Sequence, residues 1–450
     1  MHPAQPATFG WLTGTAGATI ANSAKLILPS RRHLKYNCGF PRGLGGSEQI
    51  AEAVAGRAGI LQRGASGLAA SLVSQNRKAS RKRMTKLATR LPQLDGLRAV
   101  AILLVIVGHI IGYSGLARLS VLGEVASLGV DLFFVLSGFL ITGILVRSKG
   151  TDRYFVNFFG RRALRIWPLY YAFLAAMYVF GVVISVPDWN FRGYNLGWYA
   201  VYAQALRYPA GIGPDPISVT WSLAIEEQFY VVWPFVVATA STSTLRRISW
   251  LIVLAAPLFR LMYLHYGLNA YIAFACRADA IALGSLVALW NLERKDPVRS
   301  SARVAGAAVA LFGAATALCA VTALRQVLAH SLSSAMFAAT LIFVLKGGGE
   351  SARVLRWRPL RYVGEVSYCL YLVYLPTVMI LRHYVPSRWA LCFVSVGASL
   401  LLAEASRRHF EGPILALKDR WFAMRDRTSS APEADSTVAS SNRPQRVEAV

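Results

Sequence analysis

"LDGLRAVAILLVIVGHI", residues 94–110, decides how this chain is read. The stretch opens on charged and turn-forming residues, then runs apolar, and within that run it carries His109, eleven positions after Arg98. On one helix the two lie roughly 16 Å apart along the axis. An imidazole set in a stretch otherwise suited to lipid needs polar surroundings, because an ionisable group in hydrocarbon is costly unless it is paired.

Working outward, the 450 residues are 55% hydrophobic and only 16% charged, with a mean hydropathy of +0.43. That exceeds what one water-soluble core needs and makes a membrane protein the default class. Apolar runs of roughly 16 to 23 residues fall at 99–115, 125–146, 167–187, 219–241, 249–266, 271–290, 304–323, 329–346, 363–382 and 388–406. The expected fold is therefore an all-α polytopic bundle of about ten transmembrane helices.

The net charge of +26 raises the question of nucleic acid, and its placement answers no. "RSKGTDRYFVNFFGRRALRI", "TSTLRRI", "NLERKDPVRSSAR" and "GGGESARVLRWRPLRY" alternate with basic-poor loops and hold roughly sixteen basic residues against roughly four. Basic residues that follow loop parity mark the cytoplasmic side, so both termini are expected there. A groove tracking a phosphate backbone has no such alternation. The segment 188–218, with Trp189, Tyr194 and Trp198, falls outside and reads as an interfacial or re-entrant element. Residues 1–83 are Gly/Ala/Ser-rich and basic, resembling a transit peptide; because Met84 opens "MTKLATRLPQLDGLRAV", a translated upstream region is an equal reading. The membrane domain is expected over 84–423, with a disordered cytoplasmic tail at 424–450. Five scattered cysteines without CxxC spacing point to neither a disulfide framework nor a metal site.

Ionisable residues recur inside the apolar runs. His109, Asp131, the pair Glu226 and Glu227, Arg260, Arg277 and Asp279 fall at about one depth below the outer surface on a helical count. Such a layer is either an interhelical lock or a site, and its convergence from five spans favours a site. On the opposite side "GRRALRIWPLYY" places Arg161, Arg162 and Arg165 at the entrance of the third span, suited to phosphate groups beside a helix N-terminus or to anionic lipid headgroups.

These stretches resemble the membrane acyltransferase-3 family of O-acyltransferases that decorate cell-surface polysaccharides. "LDGLRAVAILLVIVGH" is similar to its opening signature, and "GVDLFFVLSGFLIT", "RRALRIWPLYY", "WSLAIEEQFY", "CRADAIALGS" and "VGEVSYCLYLVY" follow in the family's order, from about residue 91 to about 413. The resemblance implies an acyl donor, usually acetyl-CoA, taken from the cytoplasm and used as a substrate with no tightly bound cofactor. It implies a hydroxyl acceptor on a polysaccharide or glycoconjugate, and the inner (cytoplasmic) membrane as location. It makes His109 the catalytic histidine and Arg98 its partner, with Glu226 and Glu227 as the "EEQFY" acids and Arg161, Arg162 and Arg165 as donor-binding residues. His109 is expected to act as general base, or as a transient acyl carrier, with its ring oriented by Asp131, Glu226 or Glu227. Arg277, Asp279 and Tyr374 are the candidates for substrate contact; many members have histidine where Tyr374 stands. The family's occasional SGNH-type extracytoplasmic domain has no counterpart in the sequence, which points to direct transfer. A proton-coupled transporter is the rival reading, since intramembrane His, Glu and Asp also serve proton relays, but no inverted repeat accompanies them.

Overall fold

The computed structural model describes residues 91–113, 120–183, 196–207, 216–293, 300–320, 322, 324–346 and 349–422. The expectations for 1–83, 424–450, Trp189 and Tyr194 lie outside these residues. All regular structure among them is helical. In chain order the elements are α1 (Pro92–Tyr113), α2 (Ser120–Ser148), α3 (Tyr154–Tyr178) and the short α4 (Leu196–Ala200) and α5 (Gln204–Arg207). Then come α6 (Trp221–Thr239), α7 (Thr242–His265), α8 (Phe274–Glu293), α9 (Ser300–Ala320) and α10 (Arg325–Leu345). The chain continues through α11 (Gly349–Leu355), α12 (Arg358–Glu365), α13 (Ser367–Leu381), α14 (Arg388–Ser406) and α15 (Gly412–Trp421).

Each of the ten apolar runs coincides with a helix, but not all ten qualify as spans. Seven helices among the described residues are long and apolar enough to cross a membrane, or eight if α12 and α13, bent by 74°, count as one. The two that fall short are α6, whose polar "EEQ" lowers its hydropathy, and α9, whose apolar part is only Arg303–Cys319. Large apolar side chains point outward along several helices, including Leu251, Leu254 and Leu258 on α7, Leu311 and Leu318 on α9, and Phe393 and Leu401 on α14. In water such stripes would drive association; a bilayer accepts them.

Two boundaries differ from the sequence-based expectation, and both move functional residues. The "LDGLR" turn is helical: Pro92 starts α1, and Leu94 to Leu97 are buried against α11 and α12. Proline suits a first helical turn, whose N–H has no partner within the helix. Likewise α3 begins at Tyr154, so Arg161, Arg162 and Arg165 lie two to three turns inside it and gain nothing from the helix terminus.

Burial is deepest around α2, which packs on α1 and α8 and also meets α6 and α10. Two glycines allow its approach to α8: a Cβ on Gly138 would strike the carbonyl oxygen of Ile281, and one on Gly284 that of Val135. A polar chain crosses the same seam, with Trp233 Nε1 donating to Thr142 Oγ1 (2.8 Å), Thr142 to Ser285 Oγ (2.8 Å) and Ser285 to Ile281 O (3.0 Å). Small residues of this kind let membrane helices gain van der Waals contact and interhelical hydrogen bonds. Because backbone faces backbone here, Gly284→Val forces the helices apart. A loss of about 1–3 kcal/mol is expected, read as a lowered thermal midpoint in detergent, whereas substitution at Gly397, with open space around it, changes nothing measurable.

The segment expected to be interfacial or re-entrant contains α4 and α5, pinned to the bundle by polar contacts. Tyr170 donates to Tyr199 O (2.9 Å), Gln204 Nε2 to Thr220 O (2.9 Å) and Gln228 Nε2 to Tyr202 O (3.0 Å). Tyr202 stacks on Tyr170 at 4.4 Å, and burial pushes its phenol well above the ordinary tyrosine range.

Candidate functional site

The intramembrane ionisable residues separate into two chambers and two ion-pair networks. One, called the outer chamber because the loop charges predict that it lies toward the outer side, is about 760 Å³ and is lined by His109 from α1, Arg260 from α7, Tyr271 from the α7–α8 loop, Arg325 and His330 from α10, and small residues of α2 and α9. The inner one, about 90 Å³, is lined by Arg98, Arg162, Ser137, Glu226 and Tyr230 among others. No lining residue is shared between them. Arg98 and His109, eleven residues apart on α1, thus line different chambers.

His109 is held by its own helix. Its Nδ1 lies 2.9 Å from Val105 O, and since a carbonyl only accepts, Nδ1 carries the proton and Nε2 keeps its lone pair. The ring packs edge-on against Tyr374 (5.5 Å), which in turn packs on Tyr371 (6.0 Å). Tyr371 and Phe133, in edge contact with each other, also line the inner chamber: Tyr371 donates to Val219 O (2.8 Å) and so accepts from Ser222 Oγ (2.6 Å). The Tyr374 hydroxyl is buried without a hydrogen-bond partner among the described residues. Tyr374 thus stands beside the imidazole but lines neither chamber.

The expected orienting carboxylate is a different matter. Asp131 is fully buried and pairs with Arg277 Nη2, while its other oxygen takes Ser333 Oγ (2.5 Å) and His330 Nδ1 (3.2 Å). It therefore serves His330 and Arg277, and the group hydrogen-bonded to the His109 ring is the carbonyl of Val105. Arg277 lies over the rings of Phe134, Trp221 and Tyr271 at 5.1–5.8 Å, a cation–π cage that offsets part of the cost of burying a guanidinium. Asp279 pairs with Arg260 (2.5 Å) and accepts from Ser331 (2.7 Å); Arg260 also donates to Cys276 O, Val327 O and Ser331 Oγ, each at 2.8 Å. So well satisfied a pair is an interhelical lock joining α7, α8 and α10. Neither Arg277 nor Asp279, the other candidates for substrate contact, lines a chamber.

Glu226 and Glu227 also leave the expected layer. Neighbours on a helix point about 100° apart. Glu226 accepts from Tyr230 (2.9 Å), which takes Ser137 Oγ at 2.6 Å, and faces the inner chamber with Arg98 and Arg162. Glu227 turns to Trp167 Nε1 (3.4 Å) and lines neither chamber. Among the arginines, Arg162 sits over the Tyr230 ring (5.3 Å), and Arg165 is within electrostatic range of both Arg98 and Arg162. Arg161 points elsewhere, donating to Phe422 O (2.7 Å). Sequence alone missed His330, Ser333 and Tyr230. His330 sits at the edge of an apolar run, where the one available signal was a second imidazole near the outer depth of His109.

The class so defined is a helical membrane protein with an imidazole on one polar chamber and an arginine cluster on another. Residues 91–404 match the acyltransferase-3 family, described as an acyltransferase domain, and the chain belongs to that family. Its relatives include the peptidoglycan O-acetyltransferase OatA of Listeria monocytogenes, 28% identical over 374 residues, and the putative peptidoglycan O-acetyltransferase YrhL of Bacillus subtilis, 28% identical over 390. A third is the O-acetyltransferase OatA of Staphylococcus aureus, 27% identical over 361. These alignments cover 72–74% of this chain and 56–57% of each relative, so the chain matches just over half of their length. No solved structure matches.

Proposed function

We propose that the protein transfers an acyl group, acetyl in the first instance, from cytosolic acyl-CoA to a hydroxyl of a cell-surface polysaccharide or glycoconjugate. It does so in a bacterial cytoplasmic membrane, with both termini inside. The acetyl group and a peptidoglycan-type acceptor follow the names of its relatives; the orientation follows the basic loops.

The observation that carries this reading is His109 itself, a ring with Nδ1 engaged by Val105 and Nε2 without a hydrogen-bond partner among the described residues, lining the outer chamber on the helix whose Arg98 lines the inner one. Arg98 and Arg162, with Arg165 nearby, outnumber Glu226 at the inner chamber, so the surplus positive charge suits the donor's phosphates. The pantetheine arm then extends toward His109, a rise of roughly 16 Å along α1. Nε2 of His109 reacts there, as base toward the acceptor hydroxyl or as carrier of the acyl group. Arg277, caged behind the chamber, supplies fixed positive charge near the thioester oxygen.

The test uses purified protein in proteoliposomes with acyl-CoA on the cytoplasmic side. Release of free thiol supports the reading, and substrate movement without thioester cleavage would replace it with transport. The Arg98→Ala, Arg162→Ala double variant is expected to raise the apparent donor KM about tenfold to a hundredfold, the worth of one to two charge-assisted hydrogen bonds. An unchanged donor KM would remove the phosphate role.

A further inference from the structure

The outer chamber holds a second imidazole. His330 lines it together with His109, and unlike His109 it is backed by a carboxylate, Asp131 Oδ2 at 3.2 Å from Nδ1. Asp131 is fixed by Arg277 and Ser333 and can only accept, so Nδ1 of His330 holds the proton and Nε2 is the free base. The charged and titratable groups facing the ring are Asp131 from α2, Arg277 from α8, Arg260 from α7 and Tyr271, whose ring centroid is 5.6 Å away.

Two free Nε2 atoms on one chamber are not equivalent. A carboxylate behind Nδ1 stabilises the imidazolium that forms when a ring takes a proton, and His330 has one. His109 has only a neutral carbonyl there, which suits a ring that bonds to an acyl group and releases it. The chambers also have separate linings, Tyr371 belonging to the inner one and His109 to the outer, with Tyr374 packed against both rings. A ring that carries the acyl group need not meet donor and acceptor together.

We propose that His330, held by Asp131, is the base that removes the proton of the acceptor hydroxyl in the outer chamber, leaving Nε2 of His109 to carry the acyl group. This rests on the acyl-transfer reading above. In the first step the Nε2 lone pair of His109 attacks the thioester carbonyl carbon, the C–S bond breaks and the thiolate leaves, to be protonated by water. In the second, Nε2 of His330 takes the hydroxyl proton and the acceptor oxygen bonds to the acyl carbon. The carbon–Nε2 bond then breaks, with its electron pair returning to His109. His330 passes its proton to chamber water, so the sum is thioester plus alcohol to ester plus thiol.

The experiment follows free thiol and protein-bound acetyl for the full-length protein in nanodiscs, with acetyl-CoA as donor and water or glycerol as acceptor. His330→Asn is expected to give a burst approaching one thiol per chain, an acetyl group on the peptide containing His109, and steady turnover about 100-fold below the unmodified protein. Added imidazole is expected to restore part of the turnover of His330→Ala, and His330→Gln should behave as His330→Asn. Steady turnover within threefold of the unmodified protein would overturn the proposal, as would loss of burst and turnover together in folded variants or absence of imidazole rescue. If the unmodified protein releases no thiol, the acyl-transfer reading itself fails.

Discussion

His109→Ala abolishes acyl transfer, with turnover expected to fall roughly a thousandfold or more while the protein keeps its thermal midpoint within a few degrees. The size follows from removing the atom at which the chemistry occurs: general-base and nucleophilic roles each account for about 10²–10⁴ in rate, and no other ring on the outer chamber stands on the helix of Arg98. The small structural effect follows from the ring's contacts. It makes one hydrogen bond, to Val105 O of its own helix, and one edge contact with Tyr374, beside a chamber that already holds open volume. His109→Asn sharpens the test, because its amide can still donate to the Val105 carbonyl while offering no base. If the ring only packs helices, Asn retains activity; if it reacts, Asn is as inactive as Ala. Measuring thiol release and O-acyl content of surface glycan for both variants, at matched expression, decides between them.

Much of the bundle was legible because spans are written in hydropathy alone, and each of the ten apolar runs became a helix. The element ends were less so. Nothing in "LDGLR" announces that it is helical, because its stability comes from burial under α11 and α12, which are distant in sequence. At the site, the helical count placed His109, Asp131, Glu226, Glu227, Arg260, Arg277 and Asp279 near one level, and four of these seven do join in interhelical pairs. Depth along an axis does not give rotation about it. Glu226 and Glu227 share a depth and face different neighbours, and Asp131 lies near the depth of His109 yet serves another ring. Partner choice across helices depends on rotation and crossing geometry, which one-dimensional spacing leaves open. The Val105 carbonyl could not have been anticipated as the orienting group, since every helical residue carries one and nothing in its side chain marks it.

Asp131→Ala carries the second large effect, and its consequence falls on stability as well as activity. Asp131 is fully buried, and its loss leaves the Arg277 guanidinium, the His330 Nδ1–H and the Ser333 hydroxyl without their shared acceptor. Breaking a buried pair from one side costs about 3–5 kcal/mol, because the remaining charge stays desolvated. The cation–π cage over Arg277 offsets only part of this. Membrane levels of the variant and its thermal midpoint should therefore drop far below those of His109→Ala. The double variant Asp131→Leu, Arg277→Met separates the two roles, since an apolar pair of similar volume removes both charges and should recover most of the stability. It does not return the carboxylate to His330, so turnover should stay low in a protein that folds. Full activity in the double variant would make the pair a lock between α2 and α8 and nothing more; unchanged stability in Asp131→Ala would show that the residue is not desolvated in the membrane. Recovery of folding without recovery of turnover is the outcome that ties this ion pair to the chemistry of the outer chamber.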